Sequence, residues 1–242
     1  MYSNPVISVI VPAYNEEQCI GRCIEALRAQ QTRVPYEIIV VDNNSTDDTG
    51  ALARRPGVRV CSESRQGRAY ARQAGVRAAR GEILAFTEAD CVVSPTWVEQ
   101  IYSYFRLHPE VVGVSGSYRY IHSAPYVSPV VSWMLDGTSA LYKFCSGNHT
   151  FRGTNFAVRK EVLSNAGGFL QQAAPFDDVE CGRRVGRYGS IHYLRHLMVY
   201  TSDRRIRGRL FKYVWEFVWS YSNIFLFKRH GNDHWYEPIR TI

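Results

Sequence analysis

The chain has 242 residues, of which 45% are hydrophobic and 21% are charged. This composition excludes a disordered chain and indicates one folded domain with an extension. The net charge of +7 allows an anionic partner, but it does not distinguish nucleic acid, anionic lipid and a nucleotide diphosphate from one another. We interpret residues 1–205 as the main domain and residues 206–242 as a C-terminal helical extension.

The predicted elements begin with a β-α-β unit. Residues 6–11 read as a strand, and Asn15 is expected to cap a helix whose apolar residues recur at helical spacing as far as Leu27. Residues 37–41 form the next predicted strand, and Ser45 is expected to cap a short helix after it. This order predicts parallel strands that are joined by a right-handed crossover.

Strands and helices continue to alternate along the chain. Further strands are predicted at 83–87, 111–115, 156–158, 191–194 and 197–201. Further helices are predicted at 67–80, from 94 onward, and at 130–143, 160–166, 177–189 and 206–227. The predicted fold class is α/β, with a mostly parallel central sheet flanked by helices and followed by an aromatic, amphipathic C-terminal helix.

Two apolar strands run directly into acidic turns. Residues 37–41 are followed by Asp42, and residues 83–87 are followed by Glu88 and Asp90. Ligands of parallel sheets bind at the carboxyl ends of the strands, so these three side chains are expected around one crevice. Carboxylates in such a crevice can pair with a nucleobase edge and can hold a divalent metal ion against phosphates.

Five segments of the chain, taken in order, resemble the family 2 glycosyltransferases with the GT-A fold. They are Ser8–Glu17, Ile39–Asp47, Glu88–Asp90, Arg152–Arg159 with Gly167–Phe169, and Asp177–Arg183. The resemblance covers residues 6–205. It implies a GT-A domain, a nucleotide-sugar donor, Mn²⁺ or Mg²⁺ as cofactor, inversion at the anomeric carbon, and an acceptor glycan or lipid-linked sugar.

The family pattern places the nucleotide around the first two strand ends, at Pro12, Ala13, Tyr14, Glu16 and Asp42. The Tyr14 ring can stack on a flat base, although an ordinary turn tyrosine is the alternative. Ionised Asp42 can accept the N3–H of uracil or the N1–H of guanine, whereas it would repel the N3 acceptor of cytosine. This chemistry favours a UDP-linked or GDP-linked donor, unless Asp42 is only a turn or capping residue.

Four arginines are candidates for contact with the diphosphate. Arg68 and Arg72 stand four residues apart on the predicted helix 67–80 and therefore project together. They can neutralise phosphates through charge-assisted hydrogen bonds, or they can form a solvated basic face. Arg204 and Arg205 follow the last predicted strand, where they can close over the leaving diphosphate or contact anionic lipid.

The segment Glu88-Ala89-Asp90 stands where the family has Asp-x-Asp. The resemblance makes Asp90 the direct metal ligand and places Glu88 and Ala89 at the nucleotide. It implies that Glu88 contacts either the ribose or, through a water molecule, the metal. Glutamate at the first position departs from the family pattern and moves the carboxylate outward by one methylene. Hard oxygen ligands suit Mg²⁺ or Mn²⁺. A solvated acidic loop is the structural alternative.

The pair Asp177-Asp178 matches the acidic pair that supplies the catalytic base in the family. We assign the base to Asp178, with Asp177 and Glu180 as supporting alternatives. A carboxylate suits this role because it can accept the proton of the acceptor hydroxyl during attack. Two acids at a helix start are also favourable simply as partners of the helix dipole.

The sugars are expected beside the segment that precedes this pair. Arg152, Gly153, Asn155 and Glu180 are the candidate contacts to the donor and acceptor sugars. The Gln-x-x-Arg-Trp motif of processive relatives does not occur in the region after Asp178, where Cys181-Gly-Arg-Arg-Val stands instead. This difference favours the transfer of a single sugar.

Three questions stay open at this stage. A non-catalytic nucleotide-sugar-binding scaffold is the alternative function, while nucleic-acid binding is disfavoured because no recognised motif is present. Residues 206–230 have a wide apolar arc with basic flanks, which fits an interfacial membrane helix, a helix packed on the main domain, or a homodimer contact. The polar start and the six cysteines without CxxC predict a cytosolic protein, at the inner membrane face if that arc binds lipid.

Overall fold

The computed structural model describes residues 4–121, 127–170 and 177–204. The strands are β1 Ile7–Ala13, β2 Tyr36–Asp42, β3 Val58–Ser62, β4 Ile83–Thr87, β5 Cys91–Val93, β6 Val111–Ile121, β7 Asn155–Arg159 and β8 Ser190–Ser202. The helices are α1 Ile20–Arg28, α2 Thr49–Ala53, α3 Arg68–Ala78, α4 Trp97–Leu107, α5 Val127–Ser146, α6 Lys160–Asn165 and α7 Asp177–Val185. Arg205 and the predicted extension at 206–242 lie outside the described residues.

Within the described ranges, the strands form one sheet in the order β3-β2-β1-β4-β7-β6-β8-β5. The strands from β3 to β4 are mutually parallel, as the β-α-β pattern predicts. Strand β7 then pairs antiparallel with both β4 and β6. The predicted α/β class with helices on a mixed, mostly parallel sheet is therefore confirmed, and the carboxyl ends of β1, β2 and β4 meet at one edge.

The sheet is covered on both faces, which explains why its first strands are apolar throughout. Val9 belongs to a buried cluster that includes residues of α1 and α4. Its neighbour Ile10 belongs to a second cluster that includes residues of α3, α6 and α7. Because successive side chains of a strand point to opposite faces, both faces of β1 need apolar residues.

Helix α3 packs very closely on the sheet, as its small residues predict. A Cβ atom at Gly75 would lie 2.4 Å from Cγ2 of Ile10, so only glycine fits at this contact. Ala71, one turn earlier, is also buried. This close approach holds the first turn of α3, with Arg68 and Arg72, beside the carboxyl ends of the strands.

Four predictions of local structure are corrected. Helix α1 begins at Ile20, and Asn15 does not cap it. Helix α2 begins at Thr49, with Asp48 rather than Ser45 at the cap position. The predicted strands 191–194 and 197–201 are one strand, β8, interrupted by an irregularity in its pairing with β6. Strands β3 and β5 were not predicted, because the apolar residues of β3 are interrupted by Arg59 and β5 has only three residues.

Candidate active site

The loops after β1 and β2 are held together by reciprocal hydrogen bonds. The amide N–H of Asn15 donates to Oγ of Ser45 at 3.1 Å, and the amide N–H of Thr46 donates to Oδ1 of Asn15 at 2.9 Å. The amide N–H of Glu16 donates to Oγ1 of Thr49 at 2.7 Å. Asn15 has a φ of 52°, a conformation that asparagine tolerates better than most residues, and this turns the chain toward the second loop.

These loops place the predicted nucleotide-binding residues at one edge of the sheet. Asp42 is the last residue of β2 and is half-buried, with Oδ1 accepting the amide N–H of Ser45 at 3.1 Å. A Cβ at Gly50 would lie 2.5 Å from Oδ2 of Asp42, so glycine leaves room for this carboxylate. The buried pair Pro12–Ala13 ends β1, and half-buried Tyr14 follows it.

Asn43 organises the same edge, although the sequence reasoning did not select it. Its Nδ2 donates to the carbonyl oxygens of Glu63 at 2.9 Å and Arg65 at 2.7 Å. Its Oδ1 accepts the amide N–H of Gly67 at 2.7 Å. The side chain thereby fixes the turn that leads into α3. An amide directly after the strand-ending aspartate was the available signal.

The acidic turn after β4 is nearly closed to solvent. Glu88 is 8% exposed and Asp90 is 7% exposed, and Ala89 between them is buried. Nη1 of Arg68 lies 3.5 Å from Oε1 of Glu88, and Nη2 of Arg72 lies 3.6 Å from the same oxygen. The start of α3 therefore contacts this turn through both arginines.

The turn offers an oxygen-only environment to a divalent ion. Among the described residues, no group of three or more His, Cys, Asp and Glu side chains is arranged to hold a metal. Two carboxylates, Asp90 and Glu88, suit an ion such as Mg²⁺, which takes one or two protein carboxylates and completes its shell with phosphates and water. A cavity of about 30 Å³ adjoins Asp90. The chemistry of these two carboxylates therefore fits a divalent metal ion.

Two thiols lie behind this turn and stay out of the metal chemistry. Sγ of Cys23 donates to the carbonyl oxygen of Glu88 at 3.5 Å, and Sγ of Cys91 lies 3.6 Å from Oδ1 of Asp90. Burial raises the pKa of both thiols, and the carboxylate of Asp90 raises it further. Both thiols are buried, and hard ions such as Mg²⁺ and Mn²⁺ prefer oxygen ligands to thiols.

Arg72 joins the acidic turn to the predicted catalytic pair. Its side chain is 0% exposed, and Nη1 lies 2.6 Å from Oδ2 of Asp177, which is itself 1% exposed. Nη2 donates to the carbonyl oxygen of Gly153 at 3.2 Å. Burial alone would lower the pKa of Arg72, but the carboxylates around it, led by Asp177, raise it. The guanidinium of Arg72 is enclosed by protein groups, and its diphosphate contact stays a prediction.

Asp178 is half-buried at the start of α7. It is held by Gly153, the residue whose carbonyl oxygen also accepts a hydrogen bond from Arg72. The amide N–H of Gly153 donates to Oδ2 of Asp178 at 2.6 Å. Burial raises the pKa of Asp178, Arg72 opposes this effect, and the neighbouring carboxylate of Asp177 adds to it. A carboxylate with a raised pKa is a stronger proton acceptor while it remains ionised. The role of Asp178 as the base stays a prediction, and its raised pKa is compatible with it.

Arg152 lies beside this pair but faces another cluster. Its Nη1 donates to the hydroxyl oxygen of Tyr193 at 3.0 Å, and the Tyr193 hydroxyl donates to Oδ1 of Asp136 at 2.8 Å. Nη2 of Arg152 also lies 3.6 Å from Oδ1 of Asp136. Arg152 therefore ties α5 and β8 to the loop that carries Gly153, and this arrangement leaves its predicted sugar contact a prediction.

Asn155 does not line the crevice. It is 0% exposed, and its Oδ1 accepts the indole N–H of Trp97 at 2.9 Å. Its Nδ2 donates to the carbonyl oxygens of Ser117 and Leu197, each at 2.8 Å. Both donors of the amide are used, so Asn155 has a structural role between β6, β8 and α4, and its sugar contact stays a prediction.

Glu180 is likewise engaged within its own helix. Oε2 accepts Nε of Arg184 at 2.8 Å, and Oε1 lies 3.2 Å from Nη2 of Arg183. Arg184 also donates to the carbonyl oxygen of Gly168 at 2.6 Å. These contacts anchor the turn after α6, and they give no support to the predicted sugar contact or supporting catalytic role of Glu180.

Arg204, at the end of the described chain, contacts the sheet edge where the predicted nucleotide-binding residues lie. Its Nη2 forms an ion pair with Oε2 of Glu16, which is 5% exposed. The structure thus brings the end of β8 to the loop after β1, as a role near the diphosphate requires. Its partner in that prediction, Arg205, lies outside the described residues.

A parallel sheet edge that gathers Asp42, the Glu88–Asp90 turn and the Asp177–Asp178 pair has the organisation of a nucleotide-sugar-binding GT-A enzyme. The family model described as Glycosyl transferase family 2 matches residues 8–167. The chain belongs to glycosyl transferase family 2, and it is a glycosyltransferase. The resemblance drawn from its five segments is confirmed.

Two relatives from the archaeon Haloferax volcanii match most of the chain. Glycosyltransferase AglE is 26% identical over 216 residues, which is 86% of this chain and 70% of the relative. A glucosyl-dolichyl phosphate glucuronosyltransferase is 24% identical over 236 residues, which is 88% of this chain and 72% of the relative.

Solved structures share the fold. The mannosyltransferase PcManGT from Pyrobaculum calidifontis, in complex with GDP-Man and Mn²⁺, has a TM-score of 0.67 at 24% identity, over 83% of this chain and 57% of that chain. Glucosyl-3-phosphoglycerate synthase from Mycobacterium tuberculosis, in complex with Mn²⁺, UDP and phosphoglyceric acid, has a TM-score of 0.60 at 24% identity, over 90% of this chain and 78% of that chain. Both likenesses establish the GT-A fold of this chain.

Proposed function

We propose that this glycosyltransferase moves one sugar from a nucleoside diphosphate donor to an acceptor hydroxyl, with inversion and with dependence on a divalent metal. The observation that carries the proposal is the Arg72 contact set. One buried guanidinium lies 2.6 Å from the acid pair at Asp177 and 3.6 Å from the acidic turn at Glu88. A donor that binds at this turn would therefore lie next to a base on α7. A scaffold that only binds the donor would not need such a base.

The donor side follows from the strand ends. We infer that Asp42 accepts a base N–H, and this chemistry favours UDP over CDP and also admits GDP. Asp90 would hold Mn²⁺ or Mg²⁺, with Glu88 at the ribose or at a metal-bound water. When bound there, such an ion would supply positive charge next to the departing diphosphate. Arg68, whose side chain is 32% exposed, is better placed than Arg72 to meet a phosphate from solvent.

The acceptor side follows from the acid pair. The hydroxyl oxygen of the acceptor attacks the anomeric carbon while Asp178 takes the hydroxyl proton. The bond between the anomeric carbon and the diphosphate oxygen breaks on the opposite face of the sugar. The bonding electrons leave with the diphosphate. The amide N–H of Gly153 donates to Oδ2 of Asp178 and so holds the carboxylate in place. Asp177, paired with Arg72 at 2.6 Å, orients the helix start.

We also infer a reducing compartment, because all six cysteines are free thiols and Cys145 is exposed. This inference supports a cytosolic location. The homodimer and the membrane contact through 206–230 stay predictions, since the latter segment lies outside the described residues.

Calorimetric titration of UDP, GDP and CDP with and without Mn²⁺ tests the donor site. Asp90→Asn is expected to abolish the Mn²⁺-dependent part of UDP binding, while Glu88→Gln serves as the matched, milder change. Donor turnover measured with and without Mn²⁺ separates a transferase from a non-catalytic scaffold. Unchanged Mn²⁺-dependent affinity in Asp90→Asn would remove the metal role, and equal binding of CDP would remove the base-reading role of Asp42.

A further inference from the structure

Helix α5 presents an apolar surface to solvent. Its buried side contains Val131, Ser139 and Tyr142. The opposite side, which we call the outer face of α5, consists of exposed residues at helical spacing, namely Trp133, Gly137, Ala140, Leu141 and Phe144. Residues three, four, seven and eight positions apart share one stripe of a helix, so this set forms a continuous strip.

The large side chains of the outer face are unusually exposed. Trp133 is 78% exposed, Leu141 is 55% exposed and Phe144 is 88% exposed. The other large exposed hydrophobic residues of the described chain are scattered over separate elements, namely Leu107, Leu170, Tyr188 and Tyr200. Single exposed apolar residues are ordinary, whereas a contiguous apolar strip indicates an interaction surface.

The surroundings of this strip are basic. Lys143 lies on α5 itself and is exposed, and Arg195 on β8 has a side chain that is 80% exposed. Nη2 of Arg195 lies 3.7 Å from Asp136, an acid of α5 that is also paired with Arg152. The local charge therefore favours an anionic partner.

Helix α5 is also coupled to the proposed catalytic base. Asp136 accepts the Tyr193 hydroxyl and pairs with Arg152, which directly precedes Gly153. The amide of Gly153 in turn donates to Asp178 at 2.6 Å. A surface that docks on α5 is thus held in a fixed relation to the acceptor side of the site.

We propose that the outer face of α5 is a docking surface for an anionic lipid bilayer. Trp133, Leu141 and Phe144 lie at the level of the headgroups and upper acyl chains, and Lys143 and Arg195 contact anionic headgroups. An apolar strip with an aromatic residue and basic flanks is the pattern of an interfacial helix. The contact is peripheral, because no helix in the described ranges is long and apolar enough to cross a bilayer.

Vesicle flotation of the full chain tests this proposal, with phosphatidylcholine vesicles that contain about 30% phosphatidylglycerol, compared with phosphatidylcholine alone. The parent is expected to float with the anionic vesicles only. The triple variant Trp133→Ser/Leu141→Ser/Phe144→Ser is expected to lose binding by about tenfold or more. Leu107→Ser, which changes a 69% exposed residue at the end of α4, is the matched control and should bind as the parent does.

A second variant tests the charge contribution without altering the apolar strip. Lys143→Glu is expected to weaken anionic binding several-fold at low salt and less at high salt, since headgroup attraction is screened. Undiminished flotation of both the triple variant and Lys143→Glu would overturn the proposal.

Two further outcomes would assign the face to another occupant and so overturn the proposal. If the triple variant changes a dimer into a monomer by light scattering, a second copy of the chain covers the strip. If it lowers the unfolding temperature while flotation persists, another part of this chain packs there, with 205–242 the candidate segment. Calorimetric UDP binding, measured in parallel, reports on the donor site alone, so failure of lipid docking is distinguishable from failure of the proposed function.

Discussion

The guanidinium of Arg72 and the carboxylate of Asp177 form a buried ion pair, in which Nη1 and Oδ2 lie 2.6 Å apart across a sequence separation of 105 residues. The rings of Phe156 and Phe169 flank the guanidinium, with centroids 5.9 Å and 5.8 Å from its central carbon. A guanidinium charge that lies between aromatic rings and away from water depends on its ion-pair partner, here Asp177, for its stabilisation. This pair therefore determines how α7, and with it Asp178, sits against α3.

Arg72→Met is expected to destabilise the fold by about 3–5 kcal/mol, because it leaves the Asp177 carboxylate buried and uncompensated. Asp177→Leu should have a similar effect, since it strands the guanidinium. The double variant should lose less than the sum of the two, because neither charge is then left alone. Urea unfolding of the four proteins measures this coupling. Arg68→Met, at a more exposed position, should lose about 1 kcal/mol or less. Additive losses would contradict a coupled pair.

Asp178→Asn is expected to retain donor binding but to lose transfer by roughly 10²–10⁴-fold, because an amide cannot accept the acceptor proton. The loss should fall on kcat with little change in donor affinity, since the proton moves only in the transition state. Asp177→Asn is the matched variant, and it should show a smaller loss of kcat together with a loss of stability. Parent-like transfer by both variants would show that the pair is structural.

Gly153→Ala is expected to reduce kcat by about 10–100-fold, because misplacement of a catalytic group by a fraction of an ångström to one ångström has effects of this size. The added Cβ would lie 2.5 Å from Nη2 of Arg72 and 3.0 Å from Oδ2 of Asp178. Arg72 is enclosed and cannot move aside. At Gly21, in α1, a Cβ would meet nothing within 4 Å, so Gly21→Ala should keep kcat and stabilise the helix by about 0.5–1 kcal/mol. Steady-state kinetics and thermal unfolding distinguish the two, and equal kcat values would argue against the tight contact.

Stability is expected to fall as the pH decreases from 6.5 toward 4, in part because of His149. Burial, followed by Lys143 and Arg152, lowers the pKa of His149 from 6.5 to about 4. Between pH 6.5 and 4, His149 is protonated in the unfolded chain but neutral in the folded chain. The contribution of His149 to the free energy of unfolding is therefore complete above pH 6.5 and is lost as the pH falls toward 4.

Urea unfolding at about pH 7.5 and about pH 5 measures this contribution. His149→Gln should narrow the stability difference between the two conditions, whereas His196→Gln, which changes an exposed histidine of β8, should leave it unchanged. His192, whose pKa burial also lowers, would account for part of the remaining dependence. An unaltered pH dependence in His149→Gln would rule out this residue as a source.

The sequence determined the fold class and the outline of the site. Apolar runs such as 37–41 can be satisfied only in a sheet that is covered on both faces, and such strands place their terminal acids at one edge. Asp42, Glu88 and Asp90 were predictable for this reason. The small residues at Ala71 and Gly75 likewise predicted the close packing of α3, because side-chain size alone decides how near a helix can approach a sheet.

Tertiary structure alone decided which polar residues face the crevice. Arg72 and Asn155 belong to segments that resemble the family pattern, yet both are 0% exposed and bond to partners distant in sequence, Asp177 and Trp97 among them. The outer face of α5 was also not foreseeable, because an apolar stripe on a helix predicts burial unless the packing of the opposite side is known. Sequence periodicity specifies which residues share a face, whereas the direction of that face depends on contacts between distant segments.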